Sequence, residues 1–453
     1  MTQAQPVFDP NASHQQKPKL RPVRAFPAQF NQQMVMGLAD ARQISERVVF
    51  TSPAAQHLLP LMDGTRGLDE IVGQVGRGLT RPILEQLVAQ LDDAALLFGP
   101  KYEALLAKSR AEFDASPNLP PGSTAAFADA LVVAKRQAEA QQAGKKPEEV
   151  QVSEEEKVAE GPGLLAQAFE QWIAAALKDA KAPAFDSLPK AVLAPHIDYA
   201  RGWVNYAHVW GRMRVVDRPD RVIVLGTNHF GEATGVCGCD KGYQTPLGVS
   251  AVDVGVRDSL RKRLGDKLFA HRFDHEREHS IELQVAWIQH ALGKNDQGQF
   301  VPVFGALVHD PVVNGGESYD GQGVGMNDFV EAVRETIASL PGRTLVVSSA
   351  DLSHVGPAFG DQQTLAGEGP AEQFRNKVFQ HDREMLELFR QGKHEDLVAS
   401  MSWQQNPTRW CSVGNMTAAM RIVGASGGEI LNYGAAMDEQ GMSLVSTAAM
   451  VLA

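Results

Sequence analysis

The sequence predicts two parts, a small helical domain and then a larger α/β domain whose sheet is covered on both faces. Three observations predict this. At 453 residues the chain is too long for one ordinary domain. From about residue 186 to 453, short apolar β-rich runs alternate with helical ones: AVLAPH, RVIVLGTNH, a helix near 280, FVPVFGAL, a helix near 330, TLVVSSADLSH, helices near 380 and 415, and closing strands. Those strand runs are continuously apolar, as strands buried on both sides are.

Residues 1–20 are polar and read as a disordered tail. Residues 21–105 read as a small domain. Its expected elements are a short strand in Glu46–Ser52, a helix in Pro53–Gly64 closed by Gly64, and a second helix in Leu68–Val75. A third helix follows, capped by Thr80, with Ile83, Leu84, Leu87, Val88 and Leu91 at helical spacing. Ala95–Pro100 is expected to close the domain as a strand. This run of helices with flanking strands is similar to a winged-helix domain. The segments LMDG and LDEI, followed by a capped helix, resemble PqqD-like peptide-binding domains, which implies a peptide ligand. A purely structural helical subdomain fits the same residues. Residues 106–185 read as a helical and charged linker. Within it, Ala134–Gly161 is too poor in large apolar residues to bury a core. Leu164–Leu177 is amphipathic and should pack onto the domain that follows, 186–453.

The composition, 43% hydrophobic and 21% charged, is that of a soluble globular chain. A net charge of −11 argues against bulk attraction to nucleic acid or anionic membrane. No apolar run is long enough to span a bilayer. The N-terminal segment lacks the apolar core of a signal peptide, so a cytoplasmic location is expected. Three cysteines, Cys237, Cys239 and Cys411, do not make a disulfide framework.

Chemistry concentrates where strands end. AVLA runs into His196, VIVLG into His229, and TLVVSSA into Asp351 and His354. Ligands of open α/β sheets bind beyond the carboxyl ends of strands, so these three histidines should gather on one rim. The pattern leaves open which of them share a metal. Cys411 precedes an expected helix, where a thiol ionises readily; a buried small residue fits the position equally. Cys237 and Cys239, spaced C-G-C, read as buried strand residues. His275 and His279 lie four apart and compete as a metal pair. His279 and Glu282, at the start of the helix near 280, are candidates to orient ligands from behind. No G-x-S-x-G elbow, strand-linked GxGxxG or phosphate-cradling lysine loop is present.

Taken in order, APHIDYARG, VLGTNHFG, YQTPLGV, EHSIELQ, VPVFGAL, VVSSADLSHVG and WCSVGNMTAA resemble the MEMO family, whose bacterial form is called AmmeMemoRadiSam system protein B. The resemblance covers about 185–453. It implies the fold of class III extradiol dioxygenases, an α/β/α sandwich with a mixed, largely parallel sheet. It also implies a metal held by His196, His229 and Cys411. The Asp and His of the family's S-S-D-x-x-H run fall on Asp351 and His354, with Ala350 where a second serine is usual. His354 is then expected to move a proton and Asp351 to fix its tautomer. Two features depart from the pattern. Cys411 stands where the dioxygenases use a carboxylate, which puts ring cleavage in doubt. Ile197 and Asp198 stand where the family usually has Ala and Gly, placing the Asp198 carboxylate beside the metal.

The resulting expectation is a mononuclear metal, iron or copper ahead of zinc, because a thiolate with two imidazoles suits soft or redox-active ions. Redox or dioxygenase-like chemistry follows from it. A non-catalytic peptide- or partner-binding module using the same pocket is the alternative, and metal-assisted hydrolysis a third possibility. The family's system name implies partner proteins of the AMMECR and radical SAM types.

Overall fold

The computed structural model describes residues 5–30, 33–76, 78–214 and 216–453. Two compact units divide the chain between Ser116 and Pro117. In the first, α1 (Ser13–Gln16) precedes an antiparallel sheet of β1 (Val23–Phe30), β2 (Gln33–Asp40) and β3 (Val49–Thr51). Helices α2 (Leu68–Val75), α3 (Arg81–Asp93) and α4 (Pro100–Ala115) follow. Leu38, Ile71, Leu84, Val88, Leu91, Leu96 and Leu97 form its core. A buried Arg21–Asp40 ion pair braces the end of the hairpin, and Asp40 also accepts the backbone N–H groups of Arg42, Ile44 and Ser45.

Several expectations for this unit change. Pro53–Gly64 is not one helix but two 3-10 turns, Pro53–His57 and Leu59–Leu61, because Pro60 lacks the backbone donor a continuous helix needs. Ala95–Pro100 yields an isolated Leu20–Leu97 bridge, and Pro100 opens a helix instead. The β1–β2 hairpin was not anticipated. The stretch 1–20 was expected to be disordered. From residue 5 onward it lies on this unit: His14 and Gln15 bond the carboxylate of Asp92, and Phe8 packs against the core. Residues 1–4 lie outside the described residues. Polar composition alone does not reveal such side-chain anchors.

The second unit opens with β4 (Asn118–Leu119), α5 (Ser123–Gln142) and α6 (Glu154–Leu177). Then come β5 (Ala191–Ala194), α7 (Tyr199–Met213), β6 (Arg221–Thr227), β7 (Cys237–Gly238), β8 (Gly242–Thr245), β9 (Gly248–Ser250) and α8 (Val254–Leu264). α9 (His279–Leu292), β10 (Val303–Val308), α10 (Met326–Ser339), β11 (Thr344–Ser349) and β12 (Asp351–Val355) follow. The chain finishes with α11 (Pro370–Arg390), α12 (His394–Gln404), α13 (Val413–Val423), β13 (Gly428–Met437) and β14 (Leu444–Leu452). The central sheet runs β12-β14-β5-β11-β6-β10-β7, with β13 on the other side of β14. Its middle four strands, β5, β11, β6 and β10, are parallel; β7, β12, β13 and β14 are antiparallel to their neighbours. The sheet is therefore mixed and largely parallel at its centre, as expected.

Burial on both faces explains the unbroken apolar runs. Ala191, Leu193, Ile223, Leu225, Phe304 and Ala306 pack toward Val256, Phe329, Met416 and Met420 of α8, α10 and α13. The alternating residues Val192, Val222 and Val224 are equally buried on the other face, where α7 and α9 lie. Trp287 of α9 stacks between Phe169 of α6 and Tyr206 of α7, with ring centroids 3.9 and 5.8 Å away. Each such fully buried large side chain contributes about 1.5–3 kcal/mol.

The segment 106–185 was expected to be a linker, but it is divided between the units. Its first residues end α4, and 117–185 belong to the second unit. The charged stretch forms the outer face of an α5–α6 hairpin, where Lys135 and Arg136 pair with Glu156 and Glu160. Phe169 and Ile173 supply the inner face. Among the described residues, no helix is long and apolar enough to cross a membrane.

Candidate metal centre

The three neighbouring parallel strands β5, β11 and β6 deliver their next residues to one edge of the sheet. Beyond β5 stands His196, 1% exposed. Its backbone N–H donates to Asp351 Oδ1 at 2.8 Å, and its Nδ1 lies 3.0 Å from the carbonyl of Ser349. A carbonyl only accepts, so the proton sits on Nδ1 and Nε2 carries the free lone pair. Beyond β6 stands His229, its side chain 23% exposed. Its backbone N–H and Nδ1 both bond the buried carboxylate of Glu278, at 2.8 and 3.0 Å, and this again leaves Nε2 free. The two rings meet edge to face, with centroids 5.1 Å apart.

The thiol arrives from the opposite face of the sheet, where α13 begins at Val413. Gly414 makes this possible: a Cβ there would fall 2.2 Å from the carbonyl of His309, just past β10. The bare backbone lets the helix start press against the strand ends. Cys411 Sγ then lies 3.4 Å from His196 Nε2. The donor atoms of His196, His229 and Cys411 all fall within 4.8 Å of one another. A tetrahedral ion with nitrogen at about 2.0 Å and sulfur at about 2.3 Å would hold such a pair roughly 3.5 Å apart. The chemistry and spacing of these three donors therefore fit a single metal ion.

Charge is arranged to match. Burial pushes the Cys411 thiol up, but the neighbouring His196 and His354 outweigh it and hold the thiol well below its usual range. Burial lowers His196, but Asp351 and Cys411 bring it above the ordinary value. His229 is raised further, with Glu278 and Cys411 overcoming its burial. Glu278 is pushed up by burial, yet His229 and the bonds it makes bring it down to about 2. The cluster thus favours a thiolate facing protonated imidazoles; an ion would displace their Nε2 protons, while the Nδ1 protons stay committed to their acceptors. Such outer partners orient ligands and raise their basicity.

His354 is placed differently from the expectation. It lies within β12, which follows β11 after Ala350, and is not among the three converging donors. Asp351 does not set its tautomer. The Nδ1 of His354 donates to the carbonyl of Leu352 at 2.9 Å, while Asp351 holds the backbone of His196. The ring rests edge-on against Phe359 and acts on the Cys411 thiol. The bond from Nδ1 leaves the ring's lone pair on Nε2.

His279 opens α9 and stacks on His229 at 4.9 Å, with His196 at 5.7 Å. Burial lowers it to about 4, so it stays neutral beside the cluster. Asp198 caps α7, accepting from the Arg201 N–H and pairing with its guanidinium at the surface. Glu282 turns away from the donors. Its carboxylate accepts the N–H groups of Gly122, Ser123 and Thr124 and the hydroxyl of Thr124, which fastens the start of α5 to α9. Glu282→Ala is accordingly expected to cost about 3 kcal/mol by leaving those donors unpaired. A lower urea midpoint with unchanged metal content would show it; lost metal would return Glu282 to the site.

Glu278 is the site residue that sequence reasoning missed. It stands one residue before α9 and accepts the Ser280 N–H as that helix's cap. An acceptor residue ahead of a helix start was a legible signal for capping, but nothing local pointed it at His229. His275 lies in a separate turn, Arg272–His275, bonded to Tyr243 and the carbonyl of Cys237. Cys237 and Cys239 are buried, and burial pushes the latter up to about 12.

The Memo-like protein family matches residues 161–451 of the chain. A MEMO1 family protein of Methanopyrus kandleri is 28% identical over 257 residues, 55% of this chain and 77% of that protein. One from Thermus thermophilus is 24% identical over 263 residues, 58% of this chain and 72% of its own length. One from Aquifex aeolicus is 24% identical over 417 residues, 90% of this chain and 93% of its own, so that similarity extends well into the first unit.

Proposed function

Because this chain belongs to the Memo-like protein family, we propose that it is a mononuclear metal protein whose ion is held by His196 Nε2, His229 Nε2 and Cys411 Sγ. One observation carries the proposal. The three donors converge within 4.8 Å, while each imidazole's other nitrogen is committed to an acceptor. Two neutral imidazoles and one thiolate favour iron or copper over magnesium or calcium. An iron or copper ion in this set would supply one-electron and dioxygen chemistry.

The chain's own residues would do the rest. Ser349 and Glu278 fix the imidazole tautomers, and Asp351 anchors the strand end that carries His196. His354, with Nδ1 held by Leu352, would give or take a proton at Nε2. Neutral His279 would offer a hydrogen bond beside the ligand imidazoles. Elemental analysis of anaerobically purified protein reconstituted with Fe(II) or Cu(I) tests the proposal. About one metal ion per chain is expected by this donor count, and a substoichiometric result with both ions would refute it. Oxygen uptake with added reductants then separates redox chemistry from a binding role.

A second reading, peptide or partner binding, is favoured by a cavity in the first unit. It measures about 1210 Å³ and is lined by Ser52, Leu58, Leu61, Val75, Ile83 and Leu87 among others. Peptide binding at this cavity, by protein that holds stoichiometric metal but takes up no oxygen, would favour this reading over redox chemistry.

A further inference from the structure

We propose that Asp382 is a positioning residue of the metal centre, fixing Cys411 and His354 relative to each other through the residue that precedes each. Its metal-binding consequence rests on the proposed donor set. Asp382 lies on α11 and is fully buried, and no cation pairs with it among the described residues. Four neutral side chains satisfy it instead. Ser353 Oγ and Trp410 Nε1 donate to the same oxygen, Oδ1, the latter at 2.8 Å. Tyr433 OH and Ser446 Oγ donate to Oδ2, the former at 2.6 Å.

The sequence neighbours give this network its meaning. Ser353 precedes His354 and Trp410 precedes Cys411. A single carboxylate oxygen is thus the shared vertex between the strand carrying the proton-handling group and the loop carrying the thiol. Trp410 Nε1 also reaches Ser353 Oγ at 3.1 Å, and the His354 N–H donates to the Thr408 carbonyl at 2.8 Å. These bonds close a small ring around the two reactive residues. A buried carboxylate without a cation is a poor choice for stability alone, since well-packed apolar residues of similar volume often serve as well or better. What it provides here is geometry, because four donors from β12, β13, β14 and the Cys411 loop must meet at one point.

The test uses the full chain with cobalt(II) as the probe, reading its affinity and the thiolate-to-cobalt charge-transfer band. Ser353→Ala and Trp410→Phe each remove one donor to Oδ1. Each is expected to weaken cobalt binding about 10-fold and to shift the band, as loss of an outer-shell support does. Tyr433→Phe removes a donor to Oδ2 from a strand with no site residue, and it is expected to leave both readouts within about twofold. Asp382→Asn keeps an acceptor oxygen toward Ser353 and Trp410 and should retain the band. A purely structural Asp382 predicts that all these variants lose stability while affinity and band stay unchanged. That result, or equal changes in Tyr433→Phe, would overturn the proposal. If the wild-type protein binds no cobalt, the metal proposal fails on its own, and a crystal structure of Trp410→Phe decides the positioning role. Loss of the 3.4 Å contact between Cys411 Sγ and His196 Nε2 is expected there; retention of that contact would overturn the proposal.

Discussion

His196→Ala, His229→Ala and Cys411→Ser should each abolish stoichiometric metal binding. With three protein donors, each carries on the order of a third of the binding free energy. Against a total of roughly 10–16 kcal/mol, as found for structural zinc sites, losing a third weakens affinity by roughly 300- to 8000-fold. The three changes should not be equivalent. The alanine variants leave a thiolate and one oriented imidazole. Cys411→Ser replaces a ready thiolate by a hydroxyl that stays protonated near neutral pH, so it should hit soft ions such as Cu(I) hardest. Elemental analysis, with circular dichroism to confirm folding, reads the result. Full metal content in all three variants would place the ion elsewhere.

Glu278→Gln is the second large effect. Glu278 accepts both the backbone N–H and the Nδ1–H of His229, and its carboxyl is held down to about 2, so it is ionised at any ordinary pH. The amide keeps the size but loses the charge. It also places an NH2 group at one of the two acceptor positions, so either the His229 backbone N–H or the His229 Nδ1–H together with the Ser280 N–H loses its acceptor. His229 is then free to rotate or switch tautomer, and metal affinity is expected to fall about 10- to 100-fold. Chelator competition measures it, with Glu282→Gln as the comparison. Glu282 lies one helical turn further along α9 and bonds α5, so its variant should bind metal as the wild type does. Equal losses in the two variants would mean that α9 as a whole, and not the Glu278 carboxylate, supports the site.

The contrast between these two glutamates marks the limit of local reasoning. In the run Glu278-His279-Ser280-Ile281-Glu282, the helix start was legible from the apolar spacing that follows, and so was the nearness of His279 to the rim. Which carboxylate faces His229 depends on where α9 lies across β6 and β11. That placement is set by the packing of Trp287, Phe169 and Tyr206, residues far apart in the chain. The same holds for Asp351 and His354. The family resemblance implied that Asp351 sets the tautomer of His354, but His354 lies in β12, which pairs antiparallel with β14, and a main-chain carbonyl takes over the tautomer.

By itself the sequence determined the α/β class, the parallel strands buried on both faces and the positions of His196 and His229 at strand ends. These follow from hydrophobic periodicity and from the rule that strand termini form one rim, both of which are local properties. Tertiary structure alone decided that the Cys411 loop meets those histidines from the opposite face of the sheet, that Glu278 orients His229 while Glu282 does not, and that Asp382 ties Ser353 to Trp410. Each of these joins side chains from segments many residues apart, and hydrogen bonds and close approaches at such separations are fixed only when the layers pack.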